Sequence, residues 1–238
     1  MRLLSLARDL RRRRARERQG LFLVEGIRAV EEAVAARVPI RGVLAAPTLD
    51  ATERGAALRR ALAERGVPLL DTSETDFASA ADTDTPQGVL AIAEQPRTTV
   101  DDVMARVRPS ACALLLDAVQ DPGNAGTMLR SAAAFGAAGV LALPGTVDLW
   151  SPKVVRSAMG ALFRQPVAHC GWDALDPYLD AARGGVALWG ADGAGAPIAR
   201  ASGDRPERLL LAVGNEGAGL SAEARARAAR LVALPIAP

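Results

Sequence analysis

The chain has 238 residues, enough for one large domain or two small ones. Apolar residues make up 50% and charged residues 24%, the composition of a globular protein with a packed core rather than a disordered one. The net charge is only +2, yet eight of the first 18 residues are arginines, set against Asp9 and Glu17. The remainder is slightly acidic, so the basic character is a local footprint suited to a phosphate backbone.

Residues 1–19 read as one basic helix whose apolar face carries Leu3, Leu6 and Leu10. Arg11, Arg12, Arg13 and Arg14 form its densest charge. They are candidate RNA contacts, and a solvated helix end is the alternative reading. Alternation follows. Leu21–Val24 reads as a strand, 26–37 as a helix, Val43-Leu44 as a strand, and Ala51–Arg65 as a helix stopped by Gly66. Leu69-Leu70, a short helix near Asp76–Ala81, and the strand Val89–Ala93 complete a small α/β domain over residues 1–96. Residues 97–109 are polar with prolines close to both ends, and read as a linker.

From residue 110 onward the strands are longer and continuously apolar: Ala113–Val119, Gly139–Leu143, Val167–Cys170, Val186–Trp189, Leu209–Val213 and Leu231–Leu234. Such runs suit a parallel sheet covered on both faces, with ligands at the carboxyl ends of the strands. The polar and glycine-rich residues cluster after those strands.

Three segments carry the chemistry. In Asp117–Gly136, a strand leads through Asp121-Pro122-Gly123 into a helix with Asn124 as the expected N-cap. Gly126 and Arg130 then share a face, the glycine leaving room for the arginine to reach a phosphate or ribose. A solvated arginine on an ordinary turn fits the same spacing. In Leu209–Ser221, a strand runs into Gly214, Gly217 and Gly219 around Glu216; the pattern is not the dinucleotide fingerprint. In Trp150–Ala161, a helix opens behind Pro152 and carries Lys153, the only lysine, and Arg156. His169, the only histidine, reads as a core residue of an apolar strand. Cys112 and Cys170 read as reduced core residues, no zinc spacing is present, and no apolar run has the ~18 residues of a membrane helix.

Taken in order, DPGNAGTMLRSAAAFGA, SPKVVRSAMGALFRQPV, LLLAVGNEGAGLS and VALPI resemble the SpoU (TrmH-like) RNA ribose 2′-O-methyltransferases of the SPOUT superfamily, over roughly residues 112–236. Phe22–Gly26 and Thr85–Val89 are similar to that family's RNA-binding domain. The resemblance implies an α/β fold with a trefoil-knotted parallel-sheet domain over residues 110–238. It implies S-adenosylmethionine bound by loops that include Gly190, Gly214, Asn215, Gly217, Gly219, Leu220, Leu234 and Ile236. It assigns the catalytic set to Asn124, Arg130 and Glu216, and makes Lys153 and Arg156 further RNA contacts. It also implies a homodimer acting in the cytoplasm on structured RNA, ribosomal RNA ahead of transfer RNA, without a metal or a membrane. Family members continue past the final proline through a Ser-Leu-Asn stretch and a helix. The expectation is therefore that the functional protein is longer and that these residues alone do not close the knot. A non-catalytic RNA-binding protein of the same fold, and a Rossmann-type enzyme acting on a small molecule, are the competing readings.

Overall fold

The computed structural model describes residues 2–179, 185–201 and 205–235. The chain divides into two compact units: Met1–Pro96 with Asp148–Arg164, and Arg97–Val147 with Gln165–Pro238. Residues 148–164, expected within the second domain, therefore pack with the first unit.

The first unit opens with two helices, α1 (Arg2–Leu10) and α2 (Arg13–Gln19), where the sequence suggested one. The break at Arg11-Arg12 lets Ala7 and Leu10 enter the core while leaving Arg11 to Arg14 exposed. Arg16 does not join that charged surface. It is 3% exposed and donates to Asp148 at 2.5 Å and to the Leu10 and Arg11 carbonyls at 2.8 Å.

The unit's sheet has the order β1-β4-β2-β3, formed by β1 (Leu21–Glu25), β2 (Ile40–Ala45), β3 (Leu69–Asp71) and β4 (Val89–Glu94). β4 pairs antiparallel with β1 and β2, and β3 runs parallel to β2. Three helices connect the strands: α3 (Ile27–Ala35), α4 (Glu53–Glu64) and α5 (Glu74–Ala80). Thr52 and Ser73 cap α4 and α5 through their hydroxyls, satisfying N–H groups that a helix start leaves without partners.

Every residue of the edge strand β1 is buried. The 148–164 segment supplies the reason. Phe22 packs against Trp150 at 4.7 Å and Phe163 at 6.1 Å between ring centroids, so a strand with one sheet neighbour is covered by its own chain. That segment contains α8 (Pro152–Ser157), which Ser151 caps.

The second unit begins with α6 (Val100–Met104), inside the stretch expected to be a linker. A Thr99/Asp102 capping box starts it, and Val103 and Met104 are buried in the second core. The sheet has the order β10-β8-β9-β5-β6-β7, and all its pairings are parallel. Its strands are β5 (Ala113–Leu116), β6 (Val140–Ala142), β7 (Val167–His169), β8 (Ala187–Pro197), β9 (Leu209–Val213) and β10 (Arg230–Ala233). The helices are α7 (Pro122–Ala134), α9 (Trp172–Leu179), α10 (Ile198–Ala201) and α11 (Ala222–Arg227).

Two strands depart from their apolar runs. β5 stops at Leu116 because Ala118 turns the chain with φ 57°. β8 continues well past Trp189 through glycines and alanines, since backbone pairing with β10, after a register shift at Leu231/Val232, needs no apolar side chains. A Cβ on Gly195 would come within 2.6 Å of the Val232 nitrogen, so only glycine fits there. His169, expected in the core, is exposed at the end of β7.

Candidate functional site

The sheet order fixes where a site can form. The chain lays down β5, β6 and β7 in one direction. It then crosses to β8 and inserts β9 between β8 and β5. The order reverses at the β5/β9 pair, and the segments leaving those two strands stand side by side at their carboxyl ends, where parallel α/β sheets bind ligands.

Those two segments are tied together. The Glu216 carboxylate accepts from the Asn124 side-chain amide at 3.1 Å, the Asp121 N–H at 3.1 Å and the Gln120 N–H at 3.2 Å. Glu216 is exposed, yet these bonds have a large effect on its proton affinity. Its own backbone N–H first, then the Asn124 amide and the neighbouring N–H groups, hold its carboxyl down to about 2. It is an anion under all physiological conditions, serving as a fixed acceptor and not as a proton carrier.

Asn215 closes its own loop. Its Oδ1 accepts from the Gly217 and Ala218 N–H groups at 2.9 Å, and its Nδ2 donates to the Ala118 carbonyl at 2.9 Å. Asn215 and Gly219 also exchange backbone bonds at 2.9 Å. The turn is so tight that a Cβ on Gly214 would sit 2.2 Å from the Gly219 carbonyl carbon. A third tie comes from Asp117, 3% exposed, which accepts from the Ser221 N–H at 2.7 Å.

α7 starts at this junction, but its N-cap is Asp121 and not Asn124. The Asp121 carboxylate accepts from the Asn124 N–H at 2.7 Å, and Pro122 takes the first helical position. Asn124 is thereby free to direct its amide at Glu216. Arg130 lies about 9 Å further along the helix axis. It is exposed and has no hydrogen-bond partner among the described residues. It lines a shallow groove with Thr127, Ser131, Ala134 and Phe135, whose ring is 88% exposed. Gly126 is buried and packs inward, so it does not clear a path for Arg130 as its spacing suggested.

β8, glycine-rich toward its end, adjoins β9 on its other side, and β10 pairs with β8 beyond it. Gly190 is buried where a Cβ would meet Leu220 at 2.6 Å and Leu231 at 2.9 Å. Leu220 is buried, Gly217 is exposed, and Leu234 is 70% exposed. Ile236 lies outside the described residues. Arg225, at the side of this region, pairs with Asp192 and donates to the Leu220 carbonyl at 3.3 Å, joining the β8 and β9 segments. Sequence reasoning missed Asp117, Asp192 and Arg225, because single charged residues at loop ends carry no periodic signal.

In the first unit, Arg11 donates to the Ser79 carbonyl at 3.2 Å and Arg13 pairs with Glu17 at 2.7 Å. Arg12, Arg14 and Lys153 are exposed without partners among the described residues, and Arg156 donates to Asp82 at 3.2 Å. Among the described residues no group of three or more metal-ligating side chains converges, and no helix is long and apolar enough to cross a membrane.

Comparison with known proteins bears on this arrangement. Residues 111–238 match the model of the SpoU rRNA Methylase family, and residues 5–91 match an MRM3-like substrate binding domain. RlmP of Bacillus subtilis, named a 23S rRNA (guanosine(2553)-2′-O)-methyltransferase, is 35% identical over 90% of this chain and 79% of its own length. Human mitochondrial rRNA methyltransferase 3 is 35% identical over 75% of this chain and 42% of its own length. The crystal structure of the SpoU methyltransferase AviRb from Streptomyces viridochromogenes, in complex with AdoMet, superposes with a TM-score of 0.84 at 28% identity. It covers 99% of this chain and 89% of that one. With a family model spanning more than half of its length and a relative this similar along most of it, the chain belongs to the SpoU rRNA methylase family.

Proposed function

We infer that this chain methylates a ribose 2′-hydroxyl of ribosomal RNA, with S-adenosylmethionine as methyl donor. The observation that carries the reading is the Glu216 junction, which locks the segments after β5 and β9 together and sets the start of α7 beside the strand ends, with Arg130 about 9 Å along that helix.

The donor set at the ends of β8, β9 and β10 fits the methyl donor. It offers backbone groups of Gly190, Gly214, Asn215, Gly217 and Gly219 with the apolar side chains of Leu220 and Leu234. An adenosine needs neutral hydrogen-bonding partners and an apolar slot. When bound, S-adenosylmethionine supplies an electrophilic methyl group on a sulfonium.

The protein's own work is positioning and charge placement. The Arg130 guanidinium has its donors uncommitted, so it grips an RNA phosphate and stabilises negative charge growing on the 2′-oxygen. Asn124 and Glu216 act through the loop pair, keeping α7 in register with β9. Arg12, Arg14 and Lys153 add sequence-independent attraction for the RNA backbone.

The proposal extends to a homodimer, to a second unit of the trefoil-knot type and to a cytoplasmic location. The exposed Phe135 and Leu234 support association with a second copy. The two free cysteines suit a reducing compartment, and burial pushes the Cys170 thiol up to about 11, making it unreactive.

The test is direct. Purified protein incubated with ribosomal RNA and methyl-labelled S-adenosylmethionine should place label on a single ribose 2′-oxygen. RNA that stays unlabelled while the protein binds the donor would support the non-catalytic RNA-binding alternative instead.

A further inference from the structure

Three stretches singled out in the sequence, Phe22–Gly26, Thr85–Val89 and the helix behind Pro152, are far apart in the chain and have no part in the Glu216 junction. In the first unit they converge on one cavity of about 290 Å³. We propose that this cavity binds one unstacked RNA base bearing an exocyclic amino group, an adenine, cytosine or guanine near the methylated nucleotide. The proposal rests on the reading of the protein as an RNA methyltransferase and names a subsite for its substrate.

Size sets the first limit. The volume lies at the lower end of the ~300–1,000 Å³ range of ligand pockets, enough for a single base and not for a helix. Structured RNA is read in sequence-specific fashion by such splayed-out bases.

The lining sets the chemistry. Glu25 is only 8% exposed, and its carboxylate accepts from the Asp82 N–H at 2.8 Å, the Thr83 N–H at 3.4 Å and the Thr83 hydroxyl. A carboxylate offers about four lone-pair sites, so one remains for a donor inside the cavity. An amino group on a base edge is such a donor, and acidic side chains accept from it in nucleic-acid recognition. Gln87 spends its Oε1 on the Ile27 N–H at 2.9 Å, and its amino group has no partner among the described residues. The same holds for the Thr85 hydroxyl. Both can bond to ring nitrogens or carbonyls of a base.

The interior offers a phosphate no uncommitted cation. Glu25 and Glu32 both line the cavity, Glu32 pairs with Arg164 at 2.8 Å, and Arg156 is engaged by Asp82 at 3.2 Å. Arg28 is exposed at the mouth with no partner among the described residues, suiting a phosphate that stays outside while its base enters. The apolar wall comes from Ala29 and Met159. Met159 is 50% exposed on a left-handed backbone, φ 48°, a conformation that side-chain-bearing residues adopt at a cost. An exposed thioether held there in a strained turn is accounted for if it packs against the face of a planar ring.

The experiment uses the full chain and two readouts. AMP, CMP, GMP and UMP are titrated separately, with binding followed by calorimetry and ligand NMR. One or more of the amino-bearing nucleotides should bind about tenfold more tightly than UMP. Ala29→Met, which fills the cavity from a helix position that accepts methionine, should abolish that binding. It should also raise the KM for ribosomal RNA about tenfold, with kcat and S-adenosylmethionine affinity unchanged. Thr85→Val serves as the second variant should Ala29→Met shift the melting temperature. UMP binding as tightly as the others overturns the amino-group assignment. Abolished monophosphate binding in Ala29→Met with an unchanged RNA KM means that the site takes a free nucleotide, and overturns the RNA subsite. A protein that methylates no RNA yet binds AMP, CMP or GMP sinks the enzymatic reading and leaves the base site standing.

Discussion

At the scale of single residues, the proposed function gives Glu216 the ordering of the loops and Arg130 the chemistry. The Glu216 carboxyl is held near 2 by bonds that favour its ionised form, against an ordinary value of 4.5. Those bonds contribute to the folded loop pair in full above the ordinary value. They fade as acid protonates the group, between 4.5 and 2. The Asn124 side-chain amide, followed by NMR, should therefore titrate with a midpoint near 2 and lose that transition in Glu216→Gln; a midpoint near the ordinary carboxylate value would contradict the hydrogen-bond set. Arg130→Lys keeps the charge and loses the planar fork. A charge-assisted bond is worth about 1.5–3 kcal/mol, so kcat/KM should fall roughly ten- to hundredfold with donor affinity unchanged, and near-full activity in the variant would refute bidentate phosphate capture. The sequence pointed to both residues through motif order, but not to the Gln120 and Asp121 N–H groups that hold Glu216. Asn124 was expected to cap α7, because a favourable cap residue next to glycine is all that local pattern shows. That the preceding Asp121 caps instead follows from Pro122 occupying the first helical position.

At the scale of elements, the longer strands of both sheets were legible because four or more consecutive apolar residues leave few alternatives. Their ends were not. β5 ends early because Ala118 is forced left-handed where Asp117 and Asn215 anchor the chain, and neither constraint is visible in apolar periodicity. β8 extends through alanines and glycines because β10 arrives to pair with it, a long-range event. α6 hid in a polar stretch, and its own two buried residues, Val103 and Met104, are too few to show a period. The β9 loop offers a sharp test of how tightly an element is packed. Gly214→Ala places a methyl group 2.2 Å from the Gly219 carbonyl carbon, where backbone must shift. The variant should lose on the order of 1–3 kcal/mol in denaturant melts and weaken S-adenosylmethionine binding. An unchanged melt would show that the loop has another conformation within reach.

At the scale of the whole molecule, the first unit is held partly by residues distant in sequence. The Arg16–Asp148 pair is almost fully buried, with side-chain exposures of 4% and 11%. Removing one partner of such a pair leaves a buried charge and costs about 3–5 kcal/mol. Arg16→Ala should lower the melting temperature by on the order of 10 °C, and a shift of a degree or two would mean that Asp148 is hydrated after the change. The arginines left at the surface answer to a different measurement. Changing Arg12 and Arg14 to alanine should reduce the salt dependence of RNA binding by about 0.7–0.9 for each phosphate no longer neutralised, with stability untouched; an unaltered slope would remove this surface from the RNA path. Composition announced the basic cluster but could not separate Arg16 from its neighbours, because burial depends on an aspartate more than a hundred residues away. The 148–164 excursion has a further effect on how the protein is made. The amino-terminal unit is not complete when the ribosome reaches Pro96. It must wait, with the side of β1 that will receive Trp150 and Phe163 uncovered, until translation has passed Arg164. By then α6, α7 and β5 have already emerged, so the two halves must mature together on the nascent chain. A gene cut at the apparent boundary would yield an incomplete first half and a second half carrying a segment that belongs elsewhere.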